Sequence, residues 1–265
     1  MSPLRLLAAV AALLVAALAI AWLGQRRLLY FPDRYDLERA LRPAAALGLE
    51  AWTPAGAFLG WRAATPGARG TLLVFHGNAG SALDRGYYVE QLVPLGFRLL
   101  LLEYPGYGSR AGELDEASLA ADGASALRLA AAQFGSPLYV FGESLGAGVA
   151  AAAYARAGMP VAGIVLITPW DTLATVAQAR YWFLPAKYLT KDAYDSVTNL
   201  NGFAGPLAIL QAGNDDLIPS TSTQTLFDTF AGKKRLWRLD GATHNTWYHF
   251  ADRRFWTHLA AYLTE

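Results

Sequence analysis

The sequence predicts an α/β fold: a mostly parallel, twisted sheet with helices on both faces and a small cap, preceded by an N-terminal transmembrane helix. Three observations support this prediction. Short apolar runs alternate with longer helical segments beyond about residue 30. Several runs, such as TLLVF and AGIVLIT, are apolar at almost every position, which is typical of parallel strands buried on both faces. A charge-free stretch of membrane-spanning length lies near the N-terminus.

The composition favours one large folded domain and excludes several classes of protein. The chain has 265 residues, of which 54% are hydrophobic and 16% charged, so it can fill a sizeable core and is not disordered. Its 22 basic and 21 acidic residues leave almost no charge surplus for binding nucleic acid. The absence of cysteine excludes disulfides, a thiolate nucleophile and cysteine-bound metal. We expect no cofactor and no metal, and the oligomeric state stays open.

Residues 1–27 are predicted to be a membrane anchor. Residues 6–24 carry no charge and are followed by Arg26 and Arg27. A helix of this length rises about 28 Å, close to the hydrocarbon thickness of a bilayer. An uncleaved single-pass helix is the favoured interpretation. A cleaved signal peptide, for which Ala19 and Ala21 offer a small-x-small site, and a soluble core helix are the alternatives.

The side of the membrane on which the domain lies stays open. Several arginines follow the apolar segment, and the positive-inside rule would therefore place the domain in the cytoplasm. A signal-like leader at the N-terminus argues instead for export.

Residues 28–265 are expected to form one domain in which strands are joined by alanine- and leucine-rich helices. The predicted strands are residues 57–62, 71–76, 98–103, 138–142, 163–168, 207–212 and 235–240. The predicted helices include residues 114–134, 147–157 and 221–230. A closing helix over residues 246–263 would bury Trp247, Phe250, Phe255, Leu259 and Tyr262. Residues 170–200 interrupt the alternation and are expected to form the small cap.

A serine lies between a predicted strand and a predicted helix, in the sequence Gly142-Glu143-Ser144-Leu145-Gly146. A serine at such a turn needs strained backbone angles, and a Cβ atom two residues to either side would collide with the neighbouring strand and helix. The turn would project Oγ above the sheet, where the helix N-terminus favours developing negative charge. Ser144 is therefore the candidate nucleophile; the alternative is a glycine-rich turn with a solvated serine.

With this strand–serine–helix context, the chain resembles the α/β-hydrolase superfamily from Leu28 onward. The LLYFP-like segment, the HGNAG loop and the N-terminal hydrophobic helix are similar to those of membrane-anchored abhydrolase-domain serine hydrolases. The resemblance implies an oxyanion hole built from the backbone N–H groups of Asn78 and Leu145, because the chemistry requires two donors about 3 Å from the oxyanion. His76 directly follows a strand and is expected to brace its loop rather than to act as a base.

The resemblance also implies that an acid and a histidine follow the serine, each at the C-terminal end of a strand. The loops after the last two predicted strands resemble the family forms GxxDxxxP and GxxH. They place the acid at Asp216, three residues after Gly213 and three before Pro219, and the base at His244. A serine hydroxyl needs such a base, and the base needs a carboxylate to orient it.

Alternatives remain for both partners. Asp215 is adjacent to Asp216, and only one of two neighbouring side chains can reach the imidazole. Asp171 follows the preceding strand, where some relatives carry the acid. His249 and His258 fall inside the predicted closing helix, where a surface histidine is usually only solvated, so His244 is the better candidate.

The candidate substrate pocket consists of aromatic residues. In the family the segment after Trp170 commonly covers the site, and we expect Trp170, Tyr181, Trp182 and Phe183 to line a pocket for the acyl group. Tyr107 lies in a loop that is similar to one shaping the pocket floor. An apolar, aromatic lining suits a fatty or aromatic acyl ester. Alternatively, these side chains pack the cap onto the domain or contact the bilayer.

The resemblance thus implies a carboxylesterase-like serine hydrolase that cleaves esters or thioesters through an acyl-enzyme on Ser144. Its partners would be a small-molecule acyl ester and, through the N-terminal helix, a membrane; the natural substrate and acyl chain length stay open. A serine peptidase or an acyltransferase is an alternative, because an acyl-enzyme can form from an amide or react with an alcohol. A non-catalytic membrane scaffold is the alternative from another class of function.

Overall fold

The structure is a computed structural model that describes residues 2–265; Met1, the first residue of the predicted anchor, lies outside the described residues. The strands are β1 (Phe31–Pro32), β2 (Glu50–Trp52), β3 (Gly60–Ala63), β4 (Gly70–Phe75), β5 (Ala79–Gly80), β6 (Phe97–Leu102), β7 (Leu138–Glu143), β8 (Gly163–Ile167), β9 (Leu207–Ala212) and β10 (Lys234–Leu239). The α-helices are α1 (Pro3–Leu29), α2 (Leu37–Ala46), α3 (Tyr87–Leu92), α4 (Glu116–Phe134), α5 (Leu145–Ala157), α6 (Leu173–Arg180), α7 (Ser196–Asn199), α8 (Ser220–Thr229), α9 (Trp247–Phe250) and α10 (Arg253–Thr264). Short 3-10 helices cover Pro54–Gly56, Leu83–Arg85, Val93–Leu95 and Ala186–Tyr188.

Eight of the strands form one sheet in the order β10-β9-β8-β7-β4-β6-β3-β2. The pairs from β10 to β6 are parallel, while β3 pairs antiparallel with β6 and β2 antiparallel with β3. After β4 the chain forms β6 on one edge of that strand and then crosses to form β7 on its opposite edge. Ligands of open α/β sheets bind outside the carboxyl ends of the strands at such a switch point.

Helices cover both faces of the sheet, because successive strand residues point to opposite faces. In β4, Leu73 and Phe75 belong to an apolar cluster that includes α4 and α5. Leu72 and Val74 belong to a second cluster that includes α3 and α10. The predicted fold class, a mostly parallel sheet covered on both faces, is confirmed.

The predicted strands are present, each displaced by three residues or fewer at its ends. Sequence analysis missed β1, β2 and β5, which have only two or three residues and therefore show no period that a pattern can detect. It also missed α2, whose N-cap Asp36 accepts a hydrogen bond from the N–H of Arg39.

The predicted closing helix is two helices, α9 and α10, rather than one. The carboxylate of Asp252 accepts a hydrogen bond from the N–H of Phe255 at 2.8 Å and so begins a new helix inside the predicted span. The prediction that Phe250 belongs to the core is wrong, since it lies at the end of α9 and is 44% exposed. Trp247, Phe255, Leu259 and Tyr262 are buried as predicted.

Helix α1 has the length and composition needed to cross a membrane. It has 27 residues, and its most apolar 18-residue window has a mean hydropathy of 2.7 and is not buried against the rest of the chain. Its last turn carries Arg26 and Arg27. The helix continues to Leu29, so the predicted boundary between residues 27 and 28 falls inside it.

The cap is the segment between β8 and β9. It contains α6, the 3-10 helix Ala186–Tyr188 and α7. The buried indole of Trp170 donates a hydrogen bond to the carbonyl of Tyr194 at 3.2 Å, which closes the segment on itself.

Candidate active site

Ser144 occupies a sharp turn between β7 and α5. Its backbone angles, φ 54° and ψ −119°, are strained for a residue with a Cβ atom, and the N–H of Ser144 donates to the carbonyl of Ile167 at 2.9 Å. A Cβ on Gly142 would lie 2.5 Å from the carbonyl oxygen of Gly146. One on Gly146 would overlap the carbonyl oxygen of Phe75. The glycines are therefore required for the reason that the sequence suggested.

His244 lies in the loop after β10 and reaches the serine. The hydroxyl of Ser144 donates to Nε2 of His244 over 2.7 Å. The imidazole is buried, and its other nitrogen, Nδ1, faces the carboxylate of Asp215 at 3.0 Å from Oδ2 and 3.1 Å from Oδ1. The other candidate bases, His249 and His258, are exposed on α9 and α10.

At the acid position the structure differs from the prediction of Asp216. Asp215 contacts the imidazole and its side chain is only 5% exposed. Its Oδ1 also accepts hydrogen bonds from the N–H groups of Leu217 and Ile218 at 3.0 and 2.8 Å. Asp216 is exposed, and its Oδ1 accepts only from the main-chain N–H of His244, at 3.3 Å. The turn after β9 thus directs the first aspartate inward and the second outward.

The spacing within the loop contained the signal for Asp215. The form GxxDxxxP places three residues between the acid and the proline, and counting back from Pro219 gives Asp215. Counting forward from Gly213 gives Asp216 instead, so the two ends of the motif disagree by one residue. Asp171, the remaining alternative, accepts hydrogen bonds from Ser222 and from Thr172 near the start of α6 and does not contact His244.

Asn78 and Leu145, whose backbone N–H groups are the expected oxyanion donors, line the same cavity as Ser144 and His244. Neither group donates to another protein atom in the part of the chain that the structure describes. Asn78 is held in place on three sides: its carbonyl accepts from the N–H of Phe31 at 2.9 Å and from the hydroxyl of Tyr107 at 2.7 Å, and its Nδ2 donates to the carbonyl of Leu29 at 3.0 Å. The segment leaving α1 therefore positions this loop.

His76 lies beneath the loop and does not contact the serine. Its Nδ1 donates to the carbonyl of Gly77 at 2.8 Å, and its ring packs on Tyr104 with centroids 4.0 Å apart. Nε2 lies 3.4 Å from the buried carboxylate of Glu103. This arrangement suits a loop-bracing role.

An apolar chamber of about 280 Å³ extends from Ser144 beneath the cap. Of the predicted pocket residues, Trp170 and Tyr181 line it. Trp182 and Phe183 project into solvent, 79% and 64% exposed, and Tyr107 is buried beneath Asn78. Two further walls come from the end of α1 (Gln25, Arg26, Leu28, Leu29) and from one face of α6 (Leu173, Val176, Ala177, Arg180). No sequence motif indicated that α1 contributes to this site.

A second, polar chamber of about 340 Å³ meets the first at Ser144 and His244. Arg85, Tyr87, Glu143, Thr168 and Asn245 are among its lining residues. The hydroxyl of Thr168 is buried without a hydrogen-bond partner among the described residues. Thr168 also has a positive φ of 47°, an uncommon conformation for a β-branched residue.

A buried charge cluster forms the floor of the polar chamber. Oε2 of Glu143 accepts hydrogen bonds from the hydroxyls of Tyr87 at 2.7 Å and Tyr88 at 2.8 Å, while Nε of Arg85 lies 3.4 Å from Oε1. Burial and the nearby Glu143 carboxylate raise the pKa of Tyr87 and of Tyr88 well above 10. Both phenols therefore stay protonated and keep donating even at a pH at which an ordinary tyrosine ionises.

Comparison with known proteins identifies the family. A family model described as alpha/beta hydrolase fold matches residues 70–204, just over half of the chain. The chain belongs to the α/β-hydrolase family. An uncharacterized protein of Mycobacterium tuberculosis is similar to this α/β-hydrolase, with 33% identity over 250 residues, 91% of this chain and 88% of that protein. Membership of the family supports a hydrolase activity on a small-molecule substrate.

Other relatives of this α/β-hydrolase include a lysophosphatidylserine lipase of Danio rerio, 27% identical over 184 residues that cover 62% of this chain and 48% of the lipase. An alpha/beta hydrolase domain-containing protein 17C of Xenopus laevis is 26% identical over 82% of this chain and 70% of its own length. Among solved structures, the esterase Pf2001 of Pyrococcus furiosus has a TM-score of 0.67 at 16% identity, covering 89% of this chain and 97% of the esterase. That likeness shows the fold.

Proposed function

We propose that this protein is a serine esterase that cleaves carboxylic esters or thioesters through an acyl-enzyme on Ser144. The observation that carries the proposal is the continuous hydrogen-bonded path from Ser144 Oγ through His244 to the Asp215 carboxylate. It shares a cavity with Asn78 and Leu145, whose backbone N–H groups have no acceptor among the described residues. This is the combination of nucleophile, base, orienting acid and oxyanion donors that acyl transfer requires.

Acylation follows from the direction of these hydrogen bonds. The Asp215 carboxylate is an acceptor only, so it keeps a proton on Nδ1 of His244 and leaves the Nε2 lone pair facing Ser144. Nε2 takes the serine proton as Oγ attacks the ester carbonyl, and the carbonyl oxygen gains negative charge between the N–H groups of Asn78 and Leu145. His244 then gives the proton to the leaving alcohol or thiol, and the acyl group stays on Oγ.

Deacylation repeats these steps with water. Nε2 of His244 accepts a proton from water, the hydroxide oxygen attacks the acyl carbon, and the same two N–H groups hold the oxyanion. Collapse releases the carboxylic acid and returns the proton to Oγ. The Asp215 carboxylate stabilises the imidazolium that forms twice in each turnover.

The two chambers are suited to an ester with an apolar acyl group and a polar alcohol group. The chamber beneath the cap is lined mainly by apolar side chains and suits an acyl chain. The chamber beside Thr168 and Asn245 offers hydroxyl, amide and guanidinium groups and suits a hydroxylated alcohol. A relative from Danio rerio is a lysophosphatidylserine lipase, and a substrate of that amphipathic class is consistent with this arrangement.

We further propose that residues 1–27 anchor the enzyme as an uncleaved single-pass helix, with residues 28–265 as the hydrolase domain. The support is the length and hydropathy of α1 together with its unburied apolar surface. The side chains of Gln25 and Arg26 bind the cap, so the end of the helix is also part of the folded domain.

Labelling with a fluorophosphonate probe tests the catalytic proposal. The purified full-length protein should be labelled, and both Ser144→Ala and His244→Ala should abolish labelling while retaining the wild-type thermal unfolding temperature. His258→Ala, at an exposed histidine of α10, is the matched control and should label normally. Absence of labelling in the folded wild type would favour the non-catalytic scaffold over the esterase.

A further inference from the structure

The most exposed apolar surface outside α1 lies on the cap. It consists of four aromatic side chains, here called the aromatic edge, which are 41%, 79%, 64% and 78% exposed: Tyr181, Trp182, Phe183 and Tyr188. Soluble proteins rarely leave so many neighbouring aromatics in water unless the surface meets a partner or a membrane. Lys187 lies over the ring of Tyr188 at 4.9 Å, and aromatic and lysine side chains together are typical of the membrane–water interface.

The aromatic edge is fastened to α1 near the point where that helix would leave a bilayer. Gln25 donates to the carbonyl of Leu189 at 3.0 Å and accepts from the N–H of Lys191 at 2.8 Å. The ammonium of Lys191 lies 3.9 Å above the ring of Trp22. Trp22 lies near the end of the apolar stretch, and Arg26 follows about 6 Å further along the helix. The interface should therefore cross α1 at this level, beside the cap.

An ion-pair cluster makes this attachment rigid. The guanidinium of Arg26 contacts Asp192 of the cap at 3.0 Å and Asp115 of the domain body at 3.3 Å. The hydroxyl of Tyr30 donates to Asp192 at 3.1 Å. Asp192 is buried and Arg26 is partly exposed, so salt screens this ion pair less than one between two exposed side chains. Anchor, cap and body consequently keep one mutual orientation.

The apolar chamber lies between these same elements. Leu28 and Leu29 of α1 form one wall and the apolar face of α6 forms another. Tyr181 belongs both to the chamber lining and to the exposed aromatic edge, so the chamber is continuous with that surface. An ester that entered here would travel from the interface level of α1 to Ser144 along an apolar path.

We infer that the aromatic edge inserts into the lipid bilayer that holds α1, so that the apolar chamber opens into the membrane and draws its substrate from it. This inference rests on the proposed esterase function and on the proposed anchor. It identifies the substrate class as membrane-resident, long-chain esters rather than esters dissolved in water. Arg180 and Lys187, exposed near the edge, would lie among the headgroups and favour anionic lipids.

The absence of cysteine allows a direct test, since a single introduced cysteine can be labelled alone. Full-length protein carrying Phe183→Cys, Ala12→Cys or Ala132→Cys is labelled with a polarity-sensitive fluorophore and placed in vesicles of phosphatidylcholine and phosphatidylglycerol. Ala12 lies in the middle of α1. Ala132 is exposed in the last turn of α4, which precedes β7 and so lies at the end of the sheet opposite Ser144.

Emission at positions 12 and 183 should shift to the blue and be quenched by spin-labelled lipid, while emission at position 132 should match that of the label in buffer. If the label at position 12 reports lipid while the label at position 183 emits as in water, like that at position 132, the inference is overturned and the anchor proposal stands. If the label at position 12 emits as in buffer and is not quenched, the anchor proposal is refuted, and the inference with it.

Kinetics supply an independent readout. The double substitution Trp182→Ser and Phe183→Ser should lower hydrolysis of a long-chain ester held in vesicles about tenfold, which corresponds to about 1.4 kcal/mol. Hydrolysis of a short, water-soluble ester should stay within about twofold, because neither side chain lines the chamber. An equal loss for both esters, or no loss for either, would contradict substrate access from the membrane. If the folded wild type is not labelled by the fluorophosphonate probe, the esterase proposal itself is contradicted.

Discussion

The two adjacent aspartates after β9 offer the sharpest test of the proposed mechanism. In Asp215→Asn the amide oxygen must face the N–H groups of Leu217 and Ile218, which now donate to Oδ1 at 3.0 and 2.8 Å. The amide NH₂ is then directed at Nδ1 of His244. Because NH₂ is a donor and replaces Oδ2, the oxygen 3.0 Å from Nδ1, the substitution favours the tautomer in which Nδ1 accepts and the ring proton lies on Nε2. Nε2 can then no longer accept the proton of Ser144.

The expected loss follows from that change of tautomer. Wrong-tautomer variants of serine hydrolase triads lose about 10⁴ in kcat, which corresponds to about 5 kcal/mol of transition-state stabilisation. In Asp216→Asn the amide oxygen can still accept from the N–H of His244, now at 3.3 Å. The cost should be below about 1 kcal/mol, or less than about fivefold in kcat/KM.

Steady-state hydrolysis of p-nitrophenyl butyrate measures both variants. Thermal unfolding checks that each is folded, since two backbone donors depend on Asp215. A loss of about 10⁴ in Asp216→Asn combined with near-normal activity in Asp215→Asn would refute the assignment of the acid and restore the sequence-based choice. Small losses in both would mean that no carboxylate orients His244.

Three further outcomes are expected. Gly146→Ala should destabilise the fold by about 3 kcal/mol or more, because its Cβ overlaps the carbonyl oxygen of Phe75, whereas Gly24→Ala, with nothing within 4 Å, should not lower the unfolding temperature. Thr168→Val, which keeps the shape and removes the unpartnered hydroxyl, should raise KM about tenfold for a glycerol ester and leave KM for p-nitrophenyl butyrate unchanged; an equal effect on both would exclude an alcohol contact. The raised pKa of Tyr88 means that its stabilising contribution is complete below about pH 10 and is lost above it, as the unfolded chain releases a proton that the folded chain keeps. In urea unfolding, the free energy of unfolding should therefore fall above pH 10 by about 1.4 kcal/mol per pH unit for each buried tyrosine with a raised pKa. Tyr88→Phe should make this fall less steep, and an unchanged slope would contradict the raised pKa of Tyr88.

Most of the fold could be predicted from local patterns. Apolar, strand-like runs indicated the seven longer sheet strands. The signal was clearest for β4, β6, β7, β8 and β9, because a strand buried on both faces carries its environment in its own residues. The positions of Ser144 and His244 followed, since Ser144 comes directly after β7 and His244 lies in the loop that follows β10. The parallel sheet then carries both to the same edge, where the structure places Oγ and Nε2 2.7 Å apart.

The errors arose where a side chain's direction mattered more than its position in the chain. Asp215 and Asp216 occupy the same loop, and only the turn after β9 decides which carboxylate is buried against the imidazole. Trp182 and Phe183 were grouped with Tyr181 for their aromatic character, yet they face solvent. A break at Asp252 left Phe250 exposed, because the N-cap interrupts a periodicity that otherwise looks continuous.

The sequence by itself determined the layered sheet, the apolar first helix, the strained serine turn and the strand ends from which the site is built, because each depends on residues close together in the chain. Only the tertiary structure decided the shape of the site. The chamber walls combine Leu28 and Leu29 with α6, about 150 residues away, and no local pattern specifies that meeting. The same holds for the hydrogen bond between Gln25 and Leu189, which joins the end of α1 to the cap over the candidate active site.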